Sequence, residues 1–332
     1  MYFEASLKEK ALKFLRLVTK RYAYPPRDIT IEVSTRCGLG CAMCFRPALG
    51  VPDMDMAPEL FARIMAALKT GFGGGAPRYL NFVGLGEPFL NESLAQMLRL
   101  AKKTFPETDL NVSTGLSVFD RALMPELAAE RVINRVSVSI DSLEAEGPLH
   151  PFTAGIRENF GLLCGLKASG GFKIRVQILM SSEERVQDVI RFAAGAGADE
   201  IQLMRIDLHA FKGRPPVGRP SPEEERAIVR SAAALSAELG LRCLNNNSYN
   251  IFMDLASGFD RYCLITDDSV FINVTGGVLP CFYLRDVSFG DLAARPLSEI
   301  LKNRKGLSFY GRQAALCAGC DIYRRKHSAE KR

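Results

Sequence analysis

Between residues 29 and 206, short apolar runs alternate with longer stretches whose apolar positions recur at helical spacing. The runs ITIEV (29–33), YLNFVG (79–84), LNVST (110–114), RVSVSI (135–140), KIRVQILM (173–180) and EIQLMRI (200–206) predict buried parallel strands bounded by turn residues. Stretches near 57–69, 92–104, 119–130, 154–168 and 184–196 predict amphipathic helices. Six such β-α units imply an α/β fold with right-handed crossovers, either an open doubly wound sheet or an incomplete barrel. In both, chemistry gathers at the C-terminal ends of the strands.

The pattern breaks at HAFKGRPPVGRP (209–220), which reads as a loop. Ser221, Pro222 and Glu224 form a capping-box signature that starts a helix running to about residue 239. Further on, SVFINV (269–274), a Thr275-Gly276-Gly277 turn and VLPCFYL (278–284) predict a hairpin, followed by a short helix at 296–303. The expected organisation is an N-terminal amphipathic helix (1–27), a barrel (28–215), a bridging helix and linker (216–255) and a small C-terminal α+β domain (256–332).

With 332 residues, 47% of them hydrophobic and 24% charged, the chain can bury a large core and is not intrinsically disordered. No apolar run is long enough to span a membrane, and the charged first 20 residues do not resemble a signal peptide, so a cytoplasmic protein is expected. A net charge of +6, spread along the chain, gives no support for nucleic-acid binding. Nine cysteines are the anomaly: without an export signal a disulfide framework is not expected, and metal or redox chemistry becomes the default explanation.

Cys37, Cys41 and Cys44 follow the first strand in the spacing C-x3-C-x2-C. For a chain this rich in cysteine, chance produces such a triplet with a probability of only roughly 0.006. A 4Fe–4S cluster takes four thiolates, so three leave one iron open to another ligand, as a catalytic zinc site keeps one open position. A zinc ion sharing a remote fourth cysteine, or buried unliganded thiols, are the alternatives. The run Gly71–Gly75 is not a phosphate loop, since no Lys-Ser/Thr follows at the required spacing.

This loop, with Phe45 directly after its third cysteine, resembles the signature of the radical S-adenosylmethionine (radical SAM) enzymes. Val83-Gly84-Leu85-Gly86-Glu87-Pro88 resembles the family's GGEP motif, whose backbone receives the methionine amino group, with Leu85 in place of one glycine. Ser113-Thr114-Gly115 is similar to the ribose-contacting Ser-Thr-Asn-Gly without its Asn. Ser139-Ile140-Asp141-Ser142 is similar to a segment that lies over the cofactor, and Gln177 stands where a polar cofactor contact often occurs. The resemblance implies a partial (β/α)6 TIM-like barrel. It also implies a catalytic cluster on Cys37, Cys41 and Cys44, and SAM held by Phe45, Gly84, Gly86, Glu87, Ser113, Thr114, Ser139, Asp141 and Gln177.

Cys263, Cys281, Cys317 and Cys320 lie beyond the barrel, the last two as C-x2-C. Four thiolates make a closed site for a 4Fe–4S cluster or a structural zinc, and spacing alone does not separate the two. The segment from Cys263 through Cys281 to Asp291 resembles the SPASM extension and its shortened twitch form, which implies one auxiliary 4Fe–4S cluster. Cys164 and Cys243 read as buried small hydrophobes.

The resemblance implies reductive cleavage of SAM to a 5′-deoxyadenosyl radical that takes hydrogen from a substrate, with the auxiliary cluster assisting. The substrate class would be a peptide, or a small molecule or cofactor under maturation, and the electron source a low-potential carrier such as flavodoxin or ferredoxin. Within the family the motifs look most like maturases of tungsten-containing aldehyde oxidoreductases. Arg46, Arg205, Lys212 and Arg214 read as solvated surface charge, with attraction of an anionic substrate group as the alternative. A non-catalytic iron–sulfur electron carrier or redox sensor is the competing function, although a carrier gains nothing from an open iron.

Overall fold

The computed structural model describes residues 25–206, 217–245, 269–306, 309–317 and 320, with Ala11 and Leu15. The expected N-terminal helix, most of the 209–220 loop, Lys212, Arg214 and Cys263 therefore lie outside the described residues.

The six expected strands form as β1 (Asp28–Ile31), β2 (Tyr79–Phe82), β3 (Asp109–Thr114), β4 (Arg135–Ser139), β5 (Lys173–Leu179) and β6 (Glu200–Met204). They pair in parallel, each with the next. The intervening helices are a short α1 (Arg46–Leu49), then α2 (Pro58–Gly71), α3 (Leu94–Thr104), α4 (Leu123–Ala129), α5 (Ala154–Gly170) and α6 (Glu183–Ala196). Ser182 caps α6 and Thr153 caps α5, each accepting from a first-turn backbone N–H.

The sheet is longer than the sequence pattern foretold. Helix α7 (Pro222–Glu238) has the expected capping box at Ser221 and Glu224, but instead of bridging it leads into β7 (Arg242–Asn245), parallel to β6. Strand β8 (Ser269–Ile272) pairs in parallel with β1 at the other edge and continues through β9 (Gly277–Leu279) and β10 (Gly290–Asp291), both antiparallel. The single sheet thus runs β10-β9-β8-β1-β2-β3-β4-β5-β6-β7. Its last two helices are α8 (Leu297–Gly306) and α9 (Phe309–Leu316). Helix α8 seats Leu297 against Gly71 at the end of α2, where a Cβ would lie 2.8 Å from that of Leu297.

Alternation along the strands sends Ile29, Leu80, Val112, Val136, Ile174 and Ile201 into the apolar layer beneath the helices. The opposite face is polar. Asn111 donates to Asn81 (2.9 Å) and Arg135 to Asn111 (3.2 Å), while Arg135 on β4 and Arg175 on β5 converge on Glu200 of β6 at 3.2 and 2.6 Å. Such convergence across three strands marks the concave face of a curled sheet. Arg135 and Glu200 open their strands, so this network closes the N-terminal end and leaves the C-terminal end for chemistry.

Candidate active site

The cysteine loop leaves β1 under tight restraint. The Thr35 backbone N–H donates to Met54 O at 2.9 Å, its hydroxyl donates to Pro52 O at 2.7 Å and accepts from the Met54 N–H at 2.8 Å, and Arg36 pairs with Asp55 at 2.6 Å. A turn in which the Cys44 N–H donates to Cys41 O at 3.0 Å then brings the second and third cysteines together. Cys37, Cys41 and Cys44 line one open pocket of about 400 Å³ with Leu39 and Arg46. The pocket therefore holds all three thiols and one cation.

Burial pushes the Cys37 thiol up, and it pushes Cys41 up to about 12, with Cys44, Cys37 and Asp141 adding repulsion. Thiols raised in this way, as Cys37 and Cys41 are, ionise together only when a cation takes their charge, which is the chemistry of a metal-binding donor set. Among the described residues, no three His, Cys, Asp or Glu side chains are gathered around a point for a single metal ion. A cluster takes thiolates from one short loop and spreads them over several irons. The three-thiol pocket fits the cluster.

Gly84 and Gly86 work first as spacers. A Cβ on Gly86 would lie 2.5 Å from Arg36 O and 2.6 Å from Ser34 O, and one on Gly84 would lie 2.3 Å from Glu32 Cγ. Only glycine lets the loop after β2 lie this close to the cysteine loop. The Glu87 N–H donates to Arg36 O at 2.7 Å, and its buried carboxylate accepts from Gly115 N at 2.8 Å, from Phe89 N at 3.3 Å and from the Thr114 hydroxyl. Glu87 thus ties the loops after β1, β2 and β3 together. Burial raises its carboxyl to about 6 despite those hydrogen bonds.

Asp141 does the same work between β4 and β5, accepting the Leu179 N–H at 2.9 Å and the His150 N–H, and burial lifts it to about 6. Ser139 stands beside Gln177 in register, and Gln177 donates to Gln202 at 3.2 Å. Ser113 is half-buried at the end of β3. All of the sequence-predicted SAM contacts on β1 to β5 therefore lie on or just past the strands' C-terminal halves, although Glu87, Thr114 and Asp141 engage their neighbours directly.

The arginines depart from expectation. Arg205 is neither solvated nor free: its side chain is 13% exposed and pairs with the buried Glu225 of α7 at 2.5 Å. Arg46 pairs with Asp53 and lines the cysteine pocket.

Three features of the site escaped the sequence reading. Buried Glu32 accepts a two-pronged pair from Arg285 at 3.1 and 2.6 Å and also the Leu85 N–H at 3.0 Å. Phe45 meets Tyr283, with ring centroids 4.6 Å apart. His150 is buried at the barrel mouth. A carboxylate inside the apolar run ITIEV was a usable signal for the first, because buried charge demands a partner, but nothing local pointed to a partner 253 residues away.

Cys281 follows β9 on the strip that carries Tyr283 and Arg285, so the auxiliary segment is docked on the cysteine loop. Cys317 is buried directly after α9, and the Cys320 N–H donates to its carbonyl at 2.9 Å, closing a C-x2-C turn.

Comparison with known proteins matches residues 31–161 to the radical SAM superfamily and residues 263–321 to SPASM, an iron–sulfur cluster-binding domain. The chain belongs to the radical SAM superfamily. The enzyme is 24% identical over 319 residues to the PqqA peptide cyclase of Xanthomonas campestris pv. campestris, covering 89% of this chain and 79% of that one. It is 21% identical over 313 residues to the GTP 3′,8-cyclase of Sulfurimonas denitrificans, covering 85% and 91%. Its fold matches that of Streptococcus suis SuiB bound to the precursor peptide SuiA, with a TM-score of 0.68 at 14% identity over 97% of this chain and 77% of that one.

The cofactors of this radical SAM enzyme are accordingly SAM, a 4Fe–4S cluster and an auxiliary iron–sulfur centre in the SPASM domain, which sets aside the zinc and carrier alternatives. No helix among the described residues is long and apolar enough to cross a membrane.

Proposed function

We propose that this radical SAM enzyme modifies a peptide. The observation that carries the reading is similarity over most of the chain: PqqA peptide cyclase matches 89% of it, and the fold follows peptide-bound SuiB over 97% of it. The GTP cyclase relative supplies the competing substrate class.

In this reading Cys37, Cys41 and Cys44 hold the catalytic cluster, while Phe45, Gly84, Gly86, Glu87, Ser113, Thr114, Ser139, Asp141 and Gln177 surround SAM. Cys263, Cys281, Cys317 and Cys320 hold the auxiliary cluster. When bound, the catalytic cluster supplies one electron that cleaves SAM to a 5′-deoxyadenosyl radical able to take hydrogen from an unactivated carbon. The chain's own contribution is positional. Glycines 84 and 86 let two loops interlock, Glu87 and Asp141 fix the strand ends, and the Arg46 guanidinium offsets the negative charge of the thiolates. A low-potential flavodoxin or ferredoxin is the proposed electron source. A reducing cytoplasm is the proposed compartment, since the cysteines act as thiolates.

The test is anaerobic reconstitution with dithionite, SAM and a short peptide encoded beside the gene. Peptide of altered mass, formed together with 5′-deoxyadenosine, is the expected result. Turnover of GTP in place of every candidate peptide would overturn the peptide reading and leave the family assignment intact.

A further inference from the structure

Arg46 opens the short helix α1 directly after Phe45, and Pro47 with a left-handed Gly50 (φ 60°) fixes the turn that presents it. Its side chain is 20% exposed and lines the cysteine pocket. One end of the guanidinium is anchored, Nη2 donating to the Asp53 carboxylate. The other end is not: Nε is buried and has no hydrogen-bond partner among the described residues. A buried donor left so is costly and calls for a missing acceptor. Its surroundings name the kind of acceptor. Nε can only donate and belongs to a cation, so a group with negative charge suits it best. The positive charge of Arg46 reaches the Cys37 thiol, where it works against the upward push of burial. The three thiols thus share their pocket with a fixed cation whose buried N–H is unused.

We infer that Arg46 sets the reduction potential of the catalytic cluster by donating its Nε–H to a cluster sulfur, an inference that rests on the reading that Cys37, Cys41 and Cys44 hold that cluster. Hydrogen bonds to the sulfurs and local charge are what a protein uses to set such potentials. Reduction adds one negative charge to the cluster, so a donor on a cation favours the reduced state and raises the potential. The carboxylate of SAM is the other anion expected in this pocket. An arginine grips a carboxylate through two parallel N–H bonds, and Nη2, which would supply the second beside Nε, is already bound to Asp53. A single buried N–H suits a point acceptor such as sulfur.

The experiment is a dye-mediated dithionite titration of the enzyme carrying both clusters, followed by electron paramagnetic resonance. The signal that changes on adding SAM reports the catalytic cluster, and the other signal serves as internal reference. In Arg46→Met the ratio of reduced to oxidised catalytic cluster at a fixed solution potential should fall about fivefold, with the auxiliary cluster unmoved. Arg46→Lys, which keeps the charge but lacks the Nε donor, should recover part of that shift. Iron content and circular dichroism matching wild type establish that the variants are folded and loaded, and Arg46→Gln is a second neutral variant where Arg46→Met loads too little iron. An unchanged potential in a loaded neutral variant, or an equal shift of both clusters, would overturn the assignment. Weaker SAM binding at unchanged potential would give the guanidinium to the SAM carboxylate instead. If no wild-type signal responded to SAM, the reading of the three-cysteine site would itself fall.

Discussion

The Glu32 carboxylate and the Arg285 guanidinium form a two-pronged pair at 3.1 and 2.6 Å across 253 residues of chain, with the Glu32 side chain fully buried and that of Arg285 13% exposed. Glu32 leads into the cysteine loop, and Arg285 lies four residues after Cys281. This pair, with the Phe45–Tyr283 contact, joins the segment of one metal centre to that of the other.

Arg285→Met should therefore leave a buried carboxylate without its cation. Breaking such a pair costs about 3–5 kcal/mol. Chemical denaturation of the cluster-free protein should register the loss, and Arg285→Lys should recover part of it. Unchanged stability in Arg285→Met would show that the pair does not hold the two segments together.

Gly86→Ala places a Cβ 2.5 Å from Arg36 O and 2.6 Å from Ser34 O, and backbone atoms cannot rotate away. The cysteine loop must shift, so iron bound by the first site should fall sharply while the SPASM site still loads. Gly161→Ala is the control: on α5, away from the cysteine loop, a Cβ at that position would meet nothing within 4 Å, and the substitution should leave iron content unchanged. Iron assay with Mössbauer spectroscopy reads both.

Burial raises Glu87 from 4.5 and Asp141 from 3.8, each to about 6. The folded state thus binds protons that the unfolded chain has already released. Their contribution favours folding fully below about pH 4 and is lost as pH rises through about 6. For Glu87 the change is about 2 kcal/mol. The cluster-free protein should lose stability over this window, and Glu87→Gln should flatten the slope. A Glu87→Gln profile parallel to wild type would contradict the assignment.

Cys41→Ala should abolish SAM cleavage, because it removes one of the three thiolates in the pocket. Cys281→Ala should retain some release of 5′-deoxyadenosine without modified substrate. Chromatographic quantification of both products separates the two outcomes. Normal turnover by Cys281→Ala would exclude an auxiliary role for that thiol.

The hydrophobic alternation alone determined the six central strands, their helices and the loops that carry chemistry, because each element buries an apolar face whose period is written locally. The spacing of Cys37, Cys41 and Cys44 likewise declared a three-thiolate site, since neighbours on one short loop are close in space whatever the fold. Tertiary structure decided the rest. Strands β7 and β8 join opposite edges of the sheet through pairing that their short sequences do not encode, and Arg205 is claimed by Glu225 on a helix the chain reaches 20 residues later. Glu32 finds Arg285, and His150 comes to rest against Gly115 and Leu39, only when the sheet curls. Backbone register and local periodicity act between near neighbours in sequence, whereas the partner of a buried charge or imidazole is set by which distant segments the closed fold brings within a few ångströms.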